Sequence, residues 1–531
     1  MARKVSEALL SFPLRGINIT SPQDEQPEGT CVNCQNVRIF DALEGRARGG
    51  IRPGLVKYNS SLISGANRIQ VIEYATTVAN TGPPTSGVGQ RTIYSGAVAN
   101  GVITRFDTGS TVANATASGS RSLSATAPVI FGAELYGSVY YTDGISYKIW
   151  VAANNTATDW TPTAGSLPGT DGTRVARLIV MWGARLVLSG LPSDPHNWFM
   201  TRIASPLDFD YSPLRQSEDQ ASAGDVGVLG KMGDVITCLI PYNDDILLFG
   251  CDHSIYALSG NPQAGARYDL VSDTIGMPFG APWCMDSFGT IYFFSSKGQV
   301  CKMDGPGSPP VSISNDSIAP DLDAINLNTN LIRMAWDEQQ QGVYLFVTPY
   351  TAGASTHWFY DVRTQGWFRD VFANTSHNPM TVRVFDADDP ADRVILIGSE
   401  DGYVRNISTT VSTDDGGAIS SFAILGPIAN EWRPFIVSEV QGFLDPDSSA
   451  MLFEVGVGDT PELALENFAG TFTGDGTLAA GRGITHNPRQ RAIWAYIKVG
   501  QTSSSTPWAF EKIRVRSVMI ESSKGRKHSE T

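Results

Sequence analysis

Apolar and polar positions follow a repeated hairpin pattern over much of the chain. Each copy has an apolar run, a short polar turn and a second short strand, as in residues 139–149, 246–258, 291–303 and 394–407. The apolar runs are rich in Val, Ile, Tyr and Phe, which favour buried strands. A supersecondary unit that recurs at intervals of tens of residues indicates a fold built radially or as a stack. The pattern predicts an all-β chain and, in particular, a β-propeller.

The turns and their spacing agree with this prediction. Gly144, Gly298 and Gly402 lie at the polar turns, where a tight hairpin needs residues that tolerate positive φ. The copies recur roughly every 45 to 60 residues, which fits a four-stranded blade better than a helical or leucine-rich repeat.

Three further stretches complete the blade count. Two copies are expected to carry insertions: residues 185–190 lead into a proline-rich loop, and residues 343–347 lead into a long loop. Residues 68–106 have the composition of one more blade. We therefore expect about seven blades, within a range of six to eight.

The pattern divides the chain into four parts. Residues 1–66 form an extended N-terminal segment, residues 67–410 the β-propeller, and residues 411–521 a C-terminal β domain. In that last domain the strands are longer and alternating, which predicts an antiparallel β-sandwich. Residues 522–531 are polar and are expected to be a disordered tail.

Charge and targeting signals narrow the class of function. The 531-residue chain has a formal net charge of −14, which argues against a surface that grips nucleic acid by neutralising phosphates. No apolar run is long enough for a membrane-spanning helix, and the N-terminus is a poor signal peptide. We therefore expect a chain made in a cytoplasm, with no membrane span.

Candidate chemistry is sparse. The six cysteines are expected to be small core residues, although the spacing of Cys31 and Cys34 leaves a metal or redox site as an alternative. The sequence has no nucleophile elbow, phosphate-binding loop or zinc-binding motif. We predict no enzyme activity and no cofactor.

Two alternatives stay open at this point. Acidic clusters at residues 244–245, 386–389 and 414–415 could serve a propeller glycoside hydrolase, but their turn context favours backbone hydrogen bonding. Tryptophans could serve as platforms of a carbohydrate-binding module, although core packing is the more common role. The tryptophans in question are Trp198, Trp358, Trp367, Trp432 and Trp508.

A set of phrases near the N-terminus resembles a known family. Residues 12–18 read Phe-Pro-Leu-Arg-Gly-Ile-Asn; residues 26–31, 36–38 and 46–54 follow with a Pro-containing turn, an Asn-Val-Arg stretch and an Arg-rich Pro-Gly phrase. Together they resemble the segment that precedes the propeller in tail nozzle proteins of short-tailed bacteriophages, also called tail hub or tail tubular proteins. Residues 273–305 resemble a later phrase of that family, with Lys297 where Asp is more frequent.

The resemblance implies a virion structural protein located in the phage tail. Proteins of this family form a homohexameric ring below the head-to-tail adaptor, close and guide the DNA exit channel, and support tail fibres or spikes. The expected partners are therefore other copies of the chain, the adaptor, and fibre or spike proteins. Genome DNA would pass through an acidic lumen without specific binding.

Within this interpretation, Arg46, Arg48 and Arg52 are the candidate assembly-interface residues. An equally weighted alternative is local: these arginines would pair with Asp41, Glu44 or backbone carbonyls at a turn.

Overall fold

The structure is a computed structural model. It describes residues 5–520 apart from residues 79–90, 107–111, 118–121, 170–173, 213–216, 225–231, 281, 386–392, 431–432, 469–471, 473, 484 and 505. The expected tail at residues 522–531 lies outside the described residues.

Over these described ranges, seven antiparallel blades form the propeller, each with four strands. Their strands, from the innermost to the outermost, are: blade 1, Ile69–Val78, Arg91–Ala99, Val102–Phe106 and Val112–Asn114; blade 2, Phe131–Leu135, Ser138–Thr142, Tyr147–Val151 and Thr156–Asp159; blade 3, Leu178–Trp182, Arg185–Leu191, Asp194–Met200 and Ser222–Ala223; blade 4, Ile236–Pro241, Ile246–Cys251, Ile255–Ser259 and Arg267–Ser272; blade 5, Trp283–Met285, Ile291–Phe294, Val300–Met303 and Val311–Ser312; blade 6, Asn330–Asp337, Gly342–Pro349, His357–Asp361 and Gly366–Asp370; blade 7, Pro379–Phe385, Val394–Ser399, Val404–Ser408 and Gly54–Lys57. The all-β propeller of about seven blades that the sequence predicts is thus confirmed.

The ring is closed by a strand from the N-terminal segment. Gly54–Lys57 pairs antiparallel with Val404–Ser408 and forms the outermost strand of blade 7. The innermost strand of blade 7 packs beside that of blade 1, so the first and last blades meet. This strand lies inside the stretch assigned from sequence to the segment before the propeller, so that segment contributes directly to a blade.

Side chains fill the spaces between neighbouring blades. Trp150 is fully buried between blades 1 and 2, and a Cβ on Gly96 would lie 2.6 Å from its ring. Between blades 5 and 6, Tyr292 stacks on Trp336 with ring centroids 6.2 Å apart. These apolar contacts between blades hold the ring together.

The four hairpins read from the sequence are the two middle strands of blades 2, 4, 5 and 7. The prediction that a proline-rich loop is inserted after residues 185–190 of blade 3 is wrong. Its strands Arg185–Leu191 and Asp194–Met200 continue to a two-residue turn, with Leu191 opposite Asp194. A bulge at Gly190 (φ +71°) lets the strand reach this turn despite the prolines.

The C-terminal part forms two sheets with a shared apolar core. One sheet has Cys34–Gln35, Gly417–Ala429, Trp494–Ser504, Met451–Gly458 and Gly476–Leu478; the other has Val5–Leu10, Phe510–Met519, Phe435–Leu444 and Gln490–Ala492. We call this pair of sheets the sandwich. Val5–Leu10 pairs along its whole length with the last strand, so both ends of the described chain lie in the sandwich.

The N-terminal segment connects the sandwich to the propeller. Cys34–Gln35 lies between Gly417–Ala429 of the sandwich and Gly366–Asp370 of blade 6. The hairpin Val37–Phe40 with Ala47–Ile51 follows, and the segment then enters blade 7. We call residues 12–54, together with the surfaces they contact, the joint.

The remaining elements are short. Thr413–Asp414 pairs with Gly417–Ala429 and lies beside Gly54–Lys57, Ala164–Gly165 pairs with Asp208–Phe209, and Thr116–Ala117 adds to blade 2. The helices are Ala319–Asp323 and Pro461–Glu466, with 3₁₀ turns at Pro262–Ala264 and Thr375–His377. None of these helices in the described chain has the length and apolar character needed to cross a bilayer.

Candidate functional site

The first phrase of the N-terminal segment is locked against blade 6. Gly16 has φ +66°, and a Cβ at this position would lie 2.0 Å from the carbonyl oxygen of Trp367. The next residue, Ile17, donates its backbone N–H to the same oxygen at 2.8 Å. Only glycine has both the conformation and the space required here.

Arg52 is buried in the joint, with 3% of its surface exposed. Its guanidinium donates to both carboxylate oxygens of Asp414, at 2.9 and 2.6 Å, and its Nε donates to Asn36 Oδ1 at 2.9 Å. Burial lowers the pKa of Arg52, but the Asp414 carboxylate outweighs burial, so the pKa is raised overall. Arg52 therefore stays charged and joins the N-terminal segment to the chain that leaves blade 7.

Arg48 is also buried and connects the hairpin to the sandwich. Its Nε donates to Asp41 Oδ2 at 2.9 Å, and its terminal nitrogens lie 2.7 Å from Asp445 and 2.9 Å from Glu511. Asp41 belongs to the same hairpin turn, whereas Asp445 and Glu511 belong to the sandwich. Breaking the ion pairs between a buried guanidinium and its carboxylates is costly, because it leaves a buried charge without a partner.

Arg46 differs from the other two arginines. Its side chain is 64% exposed and pairs with Glu44 at 2.8 Å. The structure therefore does not bring Arg46, Arg48 and Arg52 onto one exposed patch. The local pairing of Arg48 with Asp41 and Glu44 is present, and only Arg46 faces outward in the single chain. Whether Arg46 contacts a neighbouring copy stays a prediction.

Sequence reasoning left one buried arginine of the joint unassigned. Arg38 donates to both oxygens of Asp370 at 2.9 and 2.6 Å, and its guanidinium lies 4.0 Å above the ring of Phe359. Arg38, Arg52 and Asp41 also line a cavity of about 170 Å³ beside blade 6. A charged residue inside the apolar run of a short strand is the signal that could have identified it.

The cysteines, acidic clusters and tryptophans fall in the following places. All six cysteines are buried and unoxidised, and burial raises the pKa of the Cys31 thiol. In the described parts of the chain, no group of His, Cys, Asp and Glu is arranged to hold a metal ion.

Asp244 and Asp245 lie in an exposed turn, and Asp414 accepts hydrogen bonds from Arg52. The cluster at residues 386–389 and Trp432 lie outside the described residues, and the other four tryptophans are buried.

A second candidate site lies in the central channel of the propeller. The innermost strands of blades 1, 2, 5, 6 and 7 surround a cavity of about 550 Å³, which we call the channel cavity. Three of its lining residues are charged: Glu73, Arg333 and Arg383. Arg383 Nη2 lies 3.1 Å from Glu73 Oε2. The cavity therefore combines an ion pair with a second arginine.

Glu73 has an unusual protonation equilibrium. Its burial raises the carboxyl pKa to about 7; Arg383 opposes this shift and the nearby Glu134 adds to it. Sequence reasoning missed Glu73, Arg333 and Arg383 because they lie on three strands far apart in the chain. The available signal was a charged residue flanked by apolar residues within each of these innermost strands.

The chain has the following similarities to known proteins. No protein-family model matches the sequence, and no curated protein matches it. Among solved structures, the chain is similar to YCF48 bound to D1 peptide, with 12% identity and a TM-score of 0.39 over 69% of this chain and 100% of that one. It is also similar to the extracellular domain of BT4673 from B. thetaiotaomicron, with 13% identity and a TM-score of 0.42 over 86% of this chain and 59% of that one. A third similar structure is BBS1N in complex with ARL6DN, with 8% identity and a TM-score of 0.37 over 67% and 98% of the two chains. All three TM-scores are below 0.5.

Proposed function

We propose that this protein is a structural subunit of a short-tailed phage tail, forming the nozzle ring below the head-to-tail adaptor. The observation that carries the proposal is the course of the N-terminal segment. The phrases that resemble the nozzle family, at residues 12–18, 36–38 and 46–54, are the ones that build the joint between propeller and sandwich.

The joint supports a mechanical role. Two buried ion pairs, Arg38 with Asp370 and Arg52 with Asp414, fix the N-terminal segment to blade 6 and to the chain after blade 7. Arg48 fixes the same segment to Asp445 of the sandwich. A subunit tied in this way moves as one piece, as a ring that retains a genome requires.

Charge supports the proposed passage of DNA. Each copy has a formal net charge of −14, and a ring repeats that charge around its axis. The summed field repels phosphate, so DNA slides through without sticking. Adaptor, fibres or spikes are the proposed partners, and the virion tail is the proposed location.

Ring formation requires one heterologous interface whose rotation closes. On each copy, Arg46 and Glu44 form an exposed pair of opposite charges. Glu511 is half-exposed and contacts Arg48 of the same chain. We assign Arg46 to this interface and Arg48 and Arg52 to the joint within one chain.

Mass photometry and single-particle electron microscopy of the purified chain test the proposal, with and without the head-to-tail adaptor as a template. Closed rings of about six copies are expected. A chain that stays monomeric in both samples would overturn the nozzle assignment. It would favour the alternative of a propeller carbohydrate-binding module or glycoside hydrolase.

A further inference from the structure

The channel cavity and its surroundings hold buried polar atoms that make no hydrogen bond within the protein. Among the described residues, Glu73 Oε2, Arg333 Nε, Arg383 Nε and the Tyr141 hydroxyl are buried without a hydrogen bond. Glu73 Oε2 lies 3.1 Å from Arg383 Nη2 as an ion pair. Buried polar atoms are nearly always hydrogen-bonded, so four such atoms in one region need an explanation. Glu73 and Arg333 line the cavity directly. Tyr141 adjoins Glu73, because a Cβ on Gly132 would lie within 2.9 Å of both side chains.

Arg333 is the unusual member of this group. It is 9% exposed, and its Nη1 donates to the carbonyl oxygen of Gly280. Among the described residues no carboxylate pairs with it, and burial lowers its pKa to about 10. The Nε edge of the guanidinium is therefore left for another acceptor. Such an edge matches a carboxylate, which accepts two parallel hydrogen bonds.

The charge of the cavity specifies the ligand further. When Glu73 is ionised, above its pKa of about 7, Glu73 and Arg383 offset each other across 3.1 Å, which leaves Arg333 as one positive charge. A single negative charge on the ligand balances it, whereas a doubly charged phosphate would also face Glu73. Glu73 Oε2 still needs a hydrogen-bond donor, which a ligand hydroxyl supplies.

The walls and the size of the cavity fit a small organic molecule. Trp283, Trp336, Met334 and Phe131 supply apolar surface beside the charged groups. The volume of about 550 Å³ lies within the range of small-molecule sites, which combine apolar walls with a few polar groups.

We propose that the central channel of the propeller binds a hydroxylated organic carboxylate of the size of a sugar acid. Arg333 binds the carboxylate, Glu73 accepts a hydrogen bond from a hydroxyl, and the aromatic side chains contact the ring of the ligand. This site is independent of ring assembly, because it lies inside one propeller.

Isothermal titration calorimetry of the full chain with D-glucuronate tests the proposal. Saturable binding with one site per chain is expected, and D-glucose, which lacks the carboxylate, is expected to bind at least about tenfold more weakly. Arg333→Met removes the guanidinium and keeps the length, so it should weaken glucuronate binding by at least about tenfold. Arg267→Met removes an arginine that is 78% exposed on the outermost strand of blade 4, and it should leave binding unchanged.

Thermal unfolding separates loss of binding from loss of folding. Arg333→Met removes a buried charge that has no carboxylate partner, so its Tm should be unchanged or raised while binding is lost. Absence of saturable glucuronate binding to the wild-type chain would overturn the proposal. Equal affinity of Arg333→Met and wild type would overturn it too. Sulfate binding as tight as glucuronate binding would refute recognition of the hydroxylated carboxylate.

Discussion

Arg52 and Asp414 form a buried two-point ion pair, with Nη1 2.9 Å from Oδ1 and Nη2 2.6 Å from Oδ2. They are separated by 362 residues in the chain. Their contact joins the N-terminal segment to the strand that follows blade 7. The pair therefore helps to close the propeller and to hold the joint.

Removing one partner of this pair should destabilise the protein strongly. Arg52→Met leaves the Asp414 carboxylate buried without its counter-charge, and we expect a loss of about 3–5 kcal/mol in the free energy of unfolding. Urea denaturation at neutral pH measures it. Arg267→Met, which breaks the exposed pair with Asp269, should change stability by no more than about 1 kcal/mol. Equal stability of the two variants would contradict the role assigned to Arg52.

Gly16 and Gly45 provide a matched pair of glycines with positive φ. At Gly16 a Cβ would lie 2.0 Å from Trp367 O, whereas nothing lies within 4 Å of a Cβ at Gly45. Gly45→Ala should cost only the conformational strain of about 1–2 kcal/mol. Gly16→Ala should cost about 1–3 kcal/mol more, because the backbone of blade 6 has to move. Chemical denaturation of both variants checks this, and equal losses would contradict the close approach.

Glu73 should make stability fall as pH rises. Its pKa is about 7 in the folded chain and about 4.5 in the unfolded chain, so the folded state holds the proton over that interval. Wild type should therefore lose about 3 kcal/mol relative to Glu73→Gln between pH 4.5 and 7. Urea denaturation at pH 5 and pH 8 measures the difference. If Glu73→Gln kept the wild-type pH dependence, the shifted pKa would be disproved.

His357 should make the stability of the protein fall as pH falls, opposite to the effect of Glu73. It is fully buried and accepts the Val347 N–H on Nδ1, while Nε2 lies 3.2 Å from Asn378 Oδ1. Burial lowers its pKa from 6.5 to about 4, so the unfolded chain binds the proton first as pH falls. Wild type should lose about 3 kcal/mol of stability between pH 6.5 and pH 4 through this residue. The pH dependence of unfolding in His357→Gln, compared with wild type, measures this loss; identical slopes would rule it out.

Arg46 tests the proposed ring interface without disturbing the joint. Arg46→Glu reverses an exposed charge, so stability should change by no more than about 0.5 kcal/mol while ring formation is impaired. Mass photometry of Arg46→Glu beside wild type measures ring content, with Arg267→Glu as the exposed control. Normal rings from Arg46→Glu would remove this residue from the interface.

Much of the propeller was predictable because a hairpin is a local structure. The apolar runs and turn residues of blades 2, 4, 5 and 7 lie next to each other in sequence, and neighbouring residues decide their pairing. The prolines near residue 192 were misleading. Pro192 lies in a two-residue turn, which the strand reaches through the bulge at Gly190, and Pro195 lies in the next strand, Asp194–Met200.

The candidate sites were less accessible from sequence. Arg46, Arg48 and Arg52 form one short phrase, yet their side chains take separate positions: one exposed, one bound to the sandwich and one bound to Asp414. Only Arg48 lies within the strand Ala47–Ile51, whereas Arg46 and Arg52 flank it, so strand alternation does not set their directions. The partners of Arg48 and Arg52 include residues from distant parts of the chain.

The sequence by itself determined the strands, the hairpins and the approximate number of blades, because these depend on local apolar patterns and turn chemistry. Only the tertiary structure decided that Gly54–Lys57 completes blade 7 and that Val5–Leu10 pairs with the last strand. It alone brought Glu73, Arg333 and Arg383 to one cavity. Closure of the propeller and assembly of the sandwich create these contacts, since they place residues hundreds of positions apart against each other, and local patterns along the chain do not encode such pairings.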